Sequence, residues 1–123
     1  ITLSEGEKKR LLIARAMMSD PEVLMLDEPA AGLDVSGREQ LIDAIHRLTA
    51  SPSSPVVVMV THHVDEIPSS MTHALLLKHG EITAAGEIQE VLTSKNLSEL
   101  FDYKLNLFSH DTASGKRWTL ITQ

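Results

Sequence analysis

The 123-residue sequence contains no cysteine, few aromatic residues and no excess of basic residues. The absence of cysteine excludes disulfide bonds, zinc sites built on thiolates and cysteine nucleophiles. Lys and Arg total 11 against 17 Asp and Glu, which gives a formal net charge of -6. This balance disfavours nucleic acid as a partner, because nucleic-acid binding requires a basic surface.

Long hydrophobic runs are also missing. The longest, Val56–Val60 and residues 74–77, are far shorter than the roughly 20 residues that a membrane-spanning helix needs. A content of 42% hydrophobic and 23% charged residues is typical of a globular protein, and the length suits one compact domain. The sequence opens at Ile1 without an initiator Met and inside a helix-start pattern, so we expect the natural N-terminus to lie upstream.

The first pattern present is a helix start. Ser4 and Glu7 have the spacing of a capping box, in which the hydroxyl accepts from the Glu7 backbone N–H and the carboxylate reaches back to Ser4. Residues of high helix propensity follow, and Asp20-Pro21 ends the segment. The sequence therefore predicts a helix over 3–18.

Two apolar runs predict buried parallel strands that end in polar residues. Residues 23–26 lead into Asp27-Glu28-Pro29, and Val56–Val60 leads into Thr61-His62-His63. A helix is predicted between them over 36–49, with one apolar face that we expect to pack in the core. Strand, helix and strand with polar groups at the strand ends indicate an α/β fold, in which ligands lie beyond the carboxyl ends of the strands.

The second half of the sequence has weaker patterns. Lys78-His79-Gly80-Glu81 is typical of a hairpin turn between strands 74–77 and 82–85. Short helical segments are expected at 64–67, 87–92 and 97–101. The tail after Lys104 is weakly patterned, and no element is predicted there.

Four motifs occur in a fixed order. They are Leu3-Ser4-Glu5-Gly6-Glu7, the run from Val23 to Asp27-Glu28-Pro29, Ala31-Gly32-Leu33-Asp34, and Val60-Thr61-His62. Each is modest alone, but in this order and spacing they resemble the ABC ATPase family over residues 3–93. In that family they correspond to the signature motif, the Walker B motif, the D-loop and the switch histidine.

The resemblance implies a fold and a division of the chain. The fold would be α/β: a partial RecA-like P-loop NTPase domain, mainly a parallel sheet with flanking helices and a C-terminal β-hairpin. Residues 1–20 would carry the signature helix, residues 21–93 the Walker B motif, D-loop and switch region, and residues 94–123 a C-terminal extension. The chain would be the C-terminal half of a nucleotide-binding subunit, starting at the signature motif.

The signature helix is implied to bind nucleotide through Ser4, Gly6 and Glu7. The first amides of a helix lack internal partners and carry the positive end of its dipole, so they form an anion site. By resemblance this site faces the γ-phosphate of ATP held by the opposite subunit, with Gly6 leaving room for the phosphate. The sequence departs from the usual pattern with Glu5 for Gly and Glu7 for Gln. Two carboxylates weaken an anion site unless they point away from it. The alternative to a phosphate-binding role for Ser4 is that it only caps the helix.

The resemblance assigns Glu28 and His62 as catalytic residues. Glu28 would orient and polarise the attacking water, and His62 would contact the γ-phosphate and link Glu28 to the nucleotide state. Asp27 would hold Mg²⁺ through water, and Asp34 would reach across the dimer to the nucleotide site. The alternative is that Asp27 and Glu28 are solvated acids at a strand end.

A dedicated transition-metal site at His62-His63-Val64-Asp65-Glu66 is the other alternative for this segment. It lacks the two His at i and i+4 that a helix-borne zinc site uses. Asp65 and Glu66 are therefore interpreted as acids in the first turn of a short helix.

One motif of the family is absent. A phosphate-binding loop requires G-x-x-x-x-G-K-[ST], whereas the only Gly-Lys pair, Gly115-Lys116, is followed by Arg117 and preceded five residues earlier by His110. No aromatic residue is placed for adenine stacking. We therefore expect the isolated chain not to hydrolyse ATP.

The implied function is that of an ATP-binding and ATP-hydrolysing subunit of an ABC transporter. Its cofactors would be ATP and Mg²⁺. Its partners would be a second nucleotide-binding subunit, in a head-to-tail dimer, and transmembrane permease subunits, with no nucleic acid. It would be cytoplasmic, at the inner face of the cell membrane, and residues 61–67 and 115–117 resemble those of molybdate-type transport ATPases. The alternatives are a soluble non-transport ABC-family ATPase and a non-catalytic interaction fragment.

Overall fold

The computed structural model describes residues 2–123, which form two compact units. The first unit ends at Ser70 and the second is Met71–Gln123, so the boundary lies inside the predicted segment 21–93. The first unit contains α1 (Glu5–Met17), β1 (Val23–Asp27), α2 (Val35–Ala50), β2 (Val56–Val60) and a 3₁₀ helix (Val64–Glu66). The second contains β3 (His73–Lys78), β4 (Glu81–Glu87), α3 (Ile88–Val91), α4 (Ser94–Phe101), β5 (Leu105–Thr112) and β6 (Gly115–Thr122).

The sheet of the first unit is the parallel pair β1–β2. Val23 lies opposite Val56 and Asp27 lies opposite Val60, so both strands end at the same edge. Leu24 and Leu26 are buried, and α2 buries an apolar stripe, as predicted, of Leu41, Ile42 and Ile45.

The other face of these two strands differs from the expectation of fully buried strands. It exposes five apolar side chains: Val23, Met25, Val56, Val58 and Val60. The physical reason is that side chains alternate between the two faces of a strand, and residues 2–123 cover only one face of this pair.

Local sequence signals set the helix starts. Ser4 caps α1, and its hydroxyl accepts from the Glu7 N–H as the capping box predicts. Asp34 caps α2 by accepting from the Gly37 N–H at 2.7 Å. The two helices contact each other, and Arg10 Nη1 on α1 donates to Gln40 Oε1 on α2 at 3.2 Å.

The second unit begins with the predicted hairpin. β3 and β4 are antiparallel, and His79 and Gly80 between them have φ of 51° and 77°. Two left-handed residues in a two-residue turn match the right-handed twist of the strands. The chain then forms α3 and α4, which the sequence predicted within a few residues, and Leu97 on α4 is fully buried.

The tail that carried no prediction forms a second antiparallel hairpin, β5–β6. Ser98 on α4 holds its first strand, because its Oγ donates to the Leu105 carbonyl and accepts from the Leu105 N–H. The alternation of Leu105 and Leu107 on one strand, and of Trp118 and Leu120 on the other, was the signal that could have predicted it.

The α/β class is confirmed, but parallel pairing among residues 2–123 is confined to β1–β2. Both strand pairs of the second unit are joined by two-residue turns. Such turns can connect only antiparallel strands.

Candidate active site

Glu28 and His62 meet at the edge of the β1–β2 sheet. Because Asp27 and Val60 are opposite each other, the residues after both strands leave the sheet side by side. The Glu28 N–H donates to the Val60 carbonyl at 2.8 Å, which extends the pairing by one residue. His62 Nε2 lies 2.7 Å from Glu28 Oε1, so Nε2 carries a hydrogen and donates it to the carboxylate. The structure thus brings together the two residues assigned as catalytic.

The backbone of Glu28 has a left-handed conformation, with φ of 45°. Residues other than glycine adopt this region at a cost of about 1–3 kcal/mol, and such residues concentrate at functional sites. The next residue is Pro29, which disfavours the right-handed helical region for Glu28. The turn closes when the Ala31 N–H donates to the Glu28 carbonyl at 3.1 Å. This conformation fixes the direction in which the carboxylate leaves the strand end.

Asp27 is the last residue of β1, and its side chain is exposed. No hydrogen bond or ion pair to its carboxylate is formed within residues 2–123, and no three His, Asp or Glu residues there are grouped to hold a metal ion. Asp27 therefore offers one carboxylate, a hard oxygen ligand. Mg²⁺ commonly binds one or two protein carboxylates and keeps several waters, so this donor set fits Mg²⁺ better than a transition metal.

The turn after β2 is organised by a buried acid. Glu66 is 7% exposed, and its Oε2 accepts from Thr61 Oγ1 at 2.6 Å. The Thr61 hydroxyl also accepts from the His63 N–H at 3.1 Å. Both Asp65 and Glu66 lie in the first turn of the 3₁₀ helix, as predicted, but Asp65 is paired with Arg38 at 3.1 Å. The sequence predicted Glu66 only as a first-turn acid and not as a buried one, because an acid in a short polar turn carries no signal of burial.

The start of α1 forms both bonds of the capping box. The Ser4 N–H donates to Glu7 Oε1, and the Glu7 N–H donates to Ser4 Oγ, each at 3.1 Å. The side-chain bond to Ser4, followed by the backbone bond to Ser4, lowers the pKa of Glu7 below its ordinary value. Glu5 is paired with Lys8 at 3.1 Å. Both carboxylates that depart from the usual signature therefore have partners on their own helix.

Gly6 is buried and faces α2. A Cβ at this position would lie 3.6 Å from both Arg10 Nη1 and the Gly37 Cα, which is ordinary contact. The side of Gly6 on which a Cβ would lie therefore packs against α2. The role of its backbone toward a phosphate stays a prediction.

Asp34 is exposed and caps α2. Lys9 on α1 donates to the Ala31 carbonyl at 2.7 Å, which ties the signature helix to the loop before Asp34. Within residues 2–123, no hydrogen bond or ion pair joins Ser4, Gly6 or Glu7 to Asp27, Glu28 or His62. The assigned residues therefore form two groups.

No helix within residues 2–123 combines the length and the apolar character needed to cross a membrane.

Comparison with known proteins is consistent across sequence and structure. The family model described as "ABC transporter" matches residues 1–31. An uncharacterised ABC transporter ATP-binding protein, YlmA of Bacillus subtilis (strain 168), is 50% identical over 106 residues, covering 86% of this chain and 40% of the relative. The molybdenum import ATP-binding protein ModC of Photorhabdus laumondii is 35% identical over 97 residues, or 79% of this chain and 27% of the relative.

Two solved structures extend the comparison. One, an inward-facing conformation of a metal-chelate type ABC transporter, has a TM-score of 0.81 at 27% identity and covers 98% of this chain and 47% of its own. The other, a dimeric ATP-binding cassette in a post-hydrolysis state with ADP and Pi, has a TM-score of 0.56 at 28% identity and covers 70% and 36%. The chain thus spans less than half the length of the curated relatives it matches. It belongs to the ABC family of ATP-binding proteins.

Proposed function

We propose that this chain supplies two parts of an ATP-hydrolysing ABC transporter subunit. They are the strand ends that carry the hydrolytic residues and the signature helix. The observation that carries the proposal is the 2.7 Å bond from His62 Nε2 to Glu28 Oε1 at the end of two paired parallel strands. In α/β sheets the ligand lies beyond this edge. The names of the relatives, which are ATP-binding proteins of ABC transporters, support the same conclusion.

Glu28 acts as the general base. Its carboxylate orients a water for attack on the γ-phosphate and accepts the proton, a role that contributes about 10²–10⁴ in rate. His62 holds Oε1 by donating from Nε2, which leaves Oε2 outside that bond and able to accept from the water. Because the His62 side chain is 74% exposed, it can also respond to a phosphate that approaches the sheet edge.

Asp27, next to Glu28 at the strand end, is the residue that would hold Mg²⁺ through a bound water. The ion, when bound with ATP, neutralises charge on the phosphates. A single exposed carboxylate is the contribution expected of a protein when phosphates and water supply the other ligands.

The residues at the start of α1 bind a different nucleotide from the one on which Glu28 and His62 act. Ser4, the Gly6 backbone and Glu7 at the start of α1, together with Asp34, face the ATP of a second nucleotide-binding subunit in a head-to-tail dimer. The lack of any direct bond between this group and Glu28 or His62 supports the assignment, as does the similarity to a dimeric cassette. Hydrolysis drives transport through membrane-spanning partner subunits, with the ATPase at the cytoplasmic face of the membrane.

The test of the base uses the longer protein that carries this chain. Glu28→Gln should slow ATP hydrolysis by about 10² or more, because an amide cannot accept the proton from water. With ATP and Mg²⁺, sedimentation should show this variant trapped as a dimer.

The matched control is Glu22→Gln, the same chemical change at the opposite end of β1. Glu22 is exposed and pairs with β2 through its backbone carbonyl, so its rate should match that of the unmodified protein. Undiminished hydrolysis by Glu28→Gln, or a variant that stays monomeric with ATP, contradicts the assignment of Glu28.

The 123-residue chain alone should show no ATP turnover, because it contains no G-x-x-x-x-G-K-[ST] pattern to bind the phosphates. Phosphate release measured on the purified chain tests this expectation. Steady turnover that Glu28→Gln abolishes would show that another segment of the chain binds the phosphates.

A further inference from the structure

Glu66 is a charged side chain buried in a unit whose other acids are more exposed. Burying an acid is unfavourable unless the carboxyl group is hydrogen-bonded. Its position is specific: Glu66 ends the 3₁₀ helix that begins two residues after His62. A buried acid so close to a catalytic residue needs a structural reason.

The contacts of Glu66 lead to the backbone on both sides of His62. Its Oε2 accepts from Thr61 Oγ1 at 2.6 Å, and the same Thr61 hydroxyl accepts from the His63 N–H at 3.1 Å. Thr61 and His63 are the residues that flank His62. The carboxylate therefore orients one hydroxyl, and that hydroxyl fixes the turn across His62.

The His62 side chain has little else to hold it. It is 74% exposed, so its direction depends on the backbone that carries it and on its bond to Glu28. A small rotation of the turn would carry Nε2 out of reach of Glu28 Oε1, because hydrogen bonds weaken steeply with distance and angle.

We propose that Glu66 is a positioning residue for His62: it acts through Thr61 to hold the turn in which His62 Nε2 reaches Glu28. The inference rests on the function proposed above for Glu28 and His62.

The first test is kinetic and uses the longer protein. Glu66→Leu removes the acceptor at similar volume, and Thr61→Val removes the donor. Each should lower kcat by about 10- to 100-fold, since small misplacements of catalytic groups cost this much, while the KM for ATP stays within about twofold. The double variant should be no slower than Thr61→Val, because Thr61→Val already removes the bond to Glu66 together with the bond from the His63 N–H.

Two variants control for structural damage. Glu66→Gln keeps an acceptor for Thr61 and should retain kcat within about threefold, because a neutral acceptor still makes the bond. Thr49→Val makes the same change as Thr61→Val at another part-buried threonine of the first unit, whose hydroxyl bonds to Ile45, His46 and Ser70. It should lower the unfolding temperature and leave kcat unchanged.

The second test does not require hydrolysis. Long-range ¹H–¹⁵N spectra of the longer protein report the form of the His62 ring. The His62 signal is assigned by its loss in His62→Asn. In the unmodified protein, His62 should show the Nε2–H form. In Glu66→Leu the signal should shift toward that of a mobile imidazole, and in Glu66→Gln it should not.

The outcomes separate the two proposals. If the unmodified longer protein does not hydrolyse ATP, the proposed function is wrong, and the His62 spectra still test the role of Glu66. If Glu66→Leu leaves both kcat and the His62 signal unchanged, or if Glu66→Gln is as damaging as Glu66→Leu, the positioning role is overturned.

Discussion

Ser4 makes two bonds to Glu7 that affect both the helix and the candidate anion site. The hydroxyl oxygen accepts from the Glu7 N–H, and the Ser4 N–H donates to the Glu7 carboxylate. The side-chain bond to Ser4 is also the largest cause of the lowered pKa of Glu7, so the Ser4 hydroxyl is engaged with the Glu7 carboxylate. That carboxylate places negative charge at this helix end, which we expect to weaken phosphate binding relative to a glutamine at the same position.

Ser4→Ala should raise the pKa of Glu7 toward its ordinary value. Both causes that lower this pKa most are bonds to Ser4, and the substitution removes the first of them. A carboxyl whose folded pKa is lowered contributes stability that is full above the unfolded value, near 4.5, and is lost as the pH falls through the folded value. The variant should lose part of that contribution.

An NMR titration of the Glu7 side-chain carboxyl carbon measures the shift directly. Ser19→Ala is the matched control, because Ser19 is bonded to the Ala16 carbonyl at the other end of α1. An identical Glu7 titration in Ser4→Ala and the unmodified protein would contradict the capping-box explanation.

At the scale of elements, short turns decide how the strands pair. The turn between β3 and β4 places His79 and Gly80 in the left-handed region, which lets a two-residue turn join antiparallel strands. Nothing lies within 4 Å of where a Gly80 Cβ would be, so the space around it is open. Any requirement for glycine here is therefore conformational and not a matter of packing.

Gly80→Ala should lower the free energy of unfolding by about 1–2 kcal/mol, the cost of a left-handed conformation for a residue with a Cβ. Gly80→Asn should recover much of this loss, since asparagine tolerates the left-handed region. Urea unfolding of the two variants measures the difference. Equal stability of the alanine and asparagine variants would show that φ is not what selects glycine.

At the scale of the whole molecule, the dominant feature is the apolar face formed by the five exposed side chains of β1 and β2. Met25 is 71% exposed and Val56 is 64% exposed. Parallel strands normally have both faces covered, and large exposed apolar patches favour association. The relatives are more than twice as long as the matched region, so residues outside it are available to cover such a face in the longer protein.

The isolated chain should therefore self-associate or be much less stable than the longer protein. Light scattering and thermal melting of the two proteins test this. Met25→Gln should reduce association, because it removes apolar area from the exposed face, whereas Met18→Gln, an exposed methionine outside that face, should not. A monodisperse monomer with a cooperative melt at high temperature would contradict this expectation. It would show that the β1–β2 sheet is stable with only one face covered.

Much of the candidate site follows from the sequence alone because its determinants are local. The Ser4–Glu7 capping box and the placement of Glu28 and His62 just beyond two apolar runs depend on residues close together in the chain. Helix and strand positions before Lys104 were predictable for the same reason. Alternation, caps and turn residues act over a few positions.

Only the tertiary structure decided which of those residues meet. The bond between Glu28 and His62 requires the parallel pairing of strands 33 positions apart, from Val23 opposite Val56, which no local pattern specifies. The burial of Glu66 is likewise a result of packing. A sequence shows that a residue is acidic. Its neighbours in the folded structure decide whether it acts as a general base, binds a metal or positions another residue.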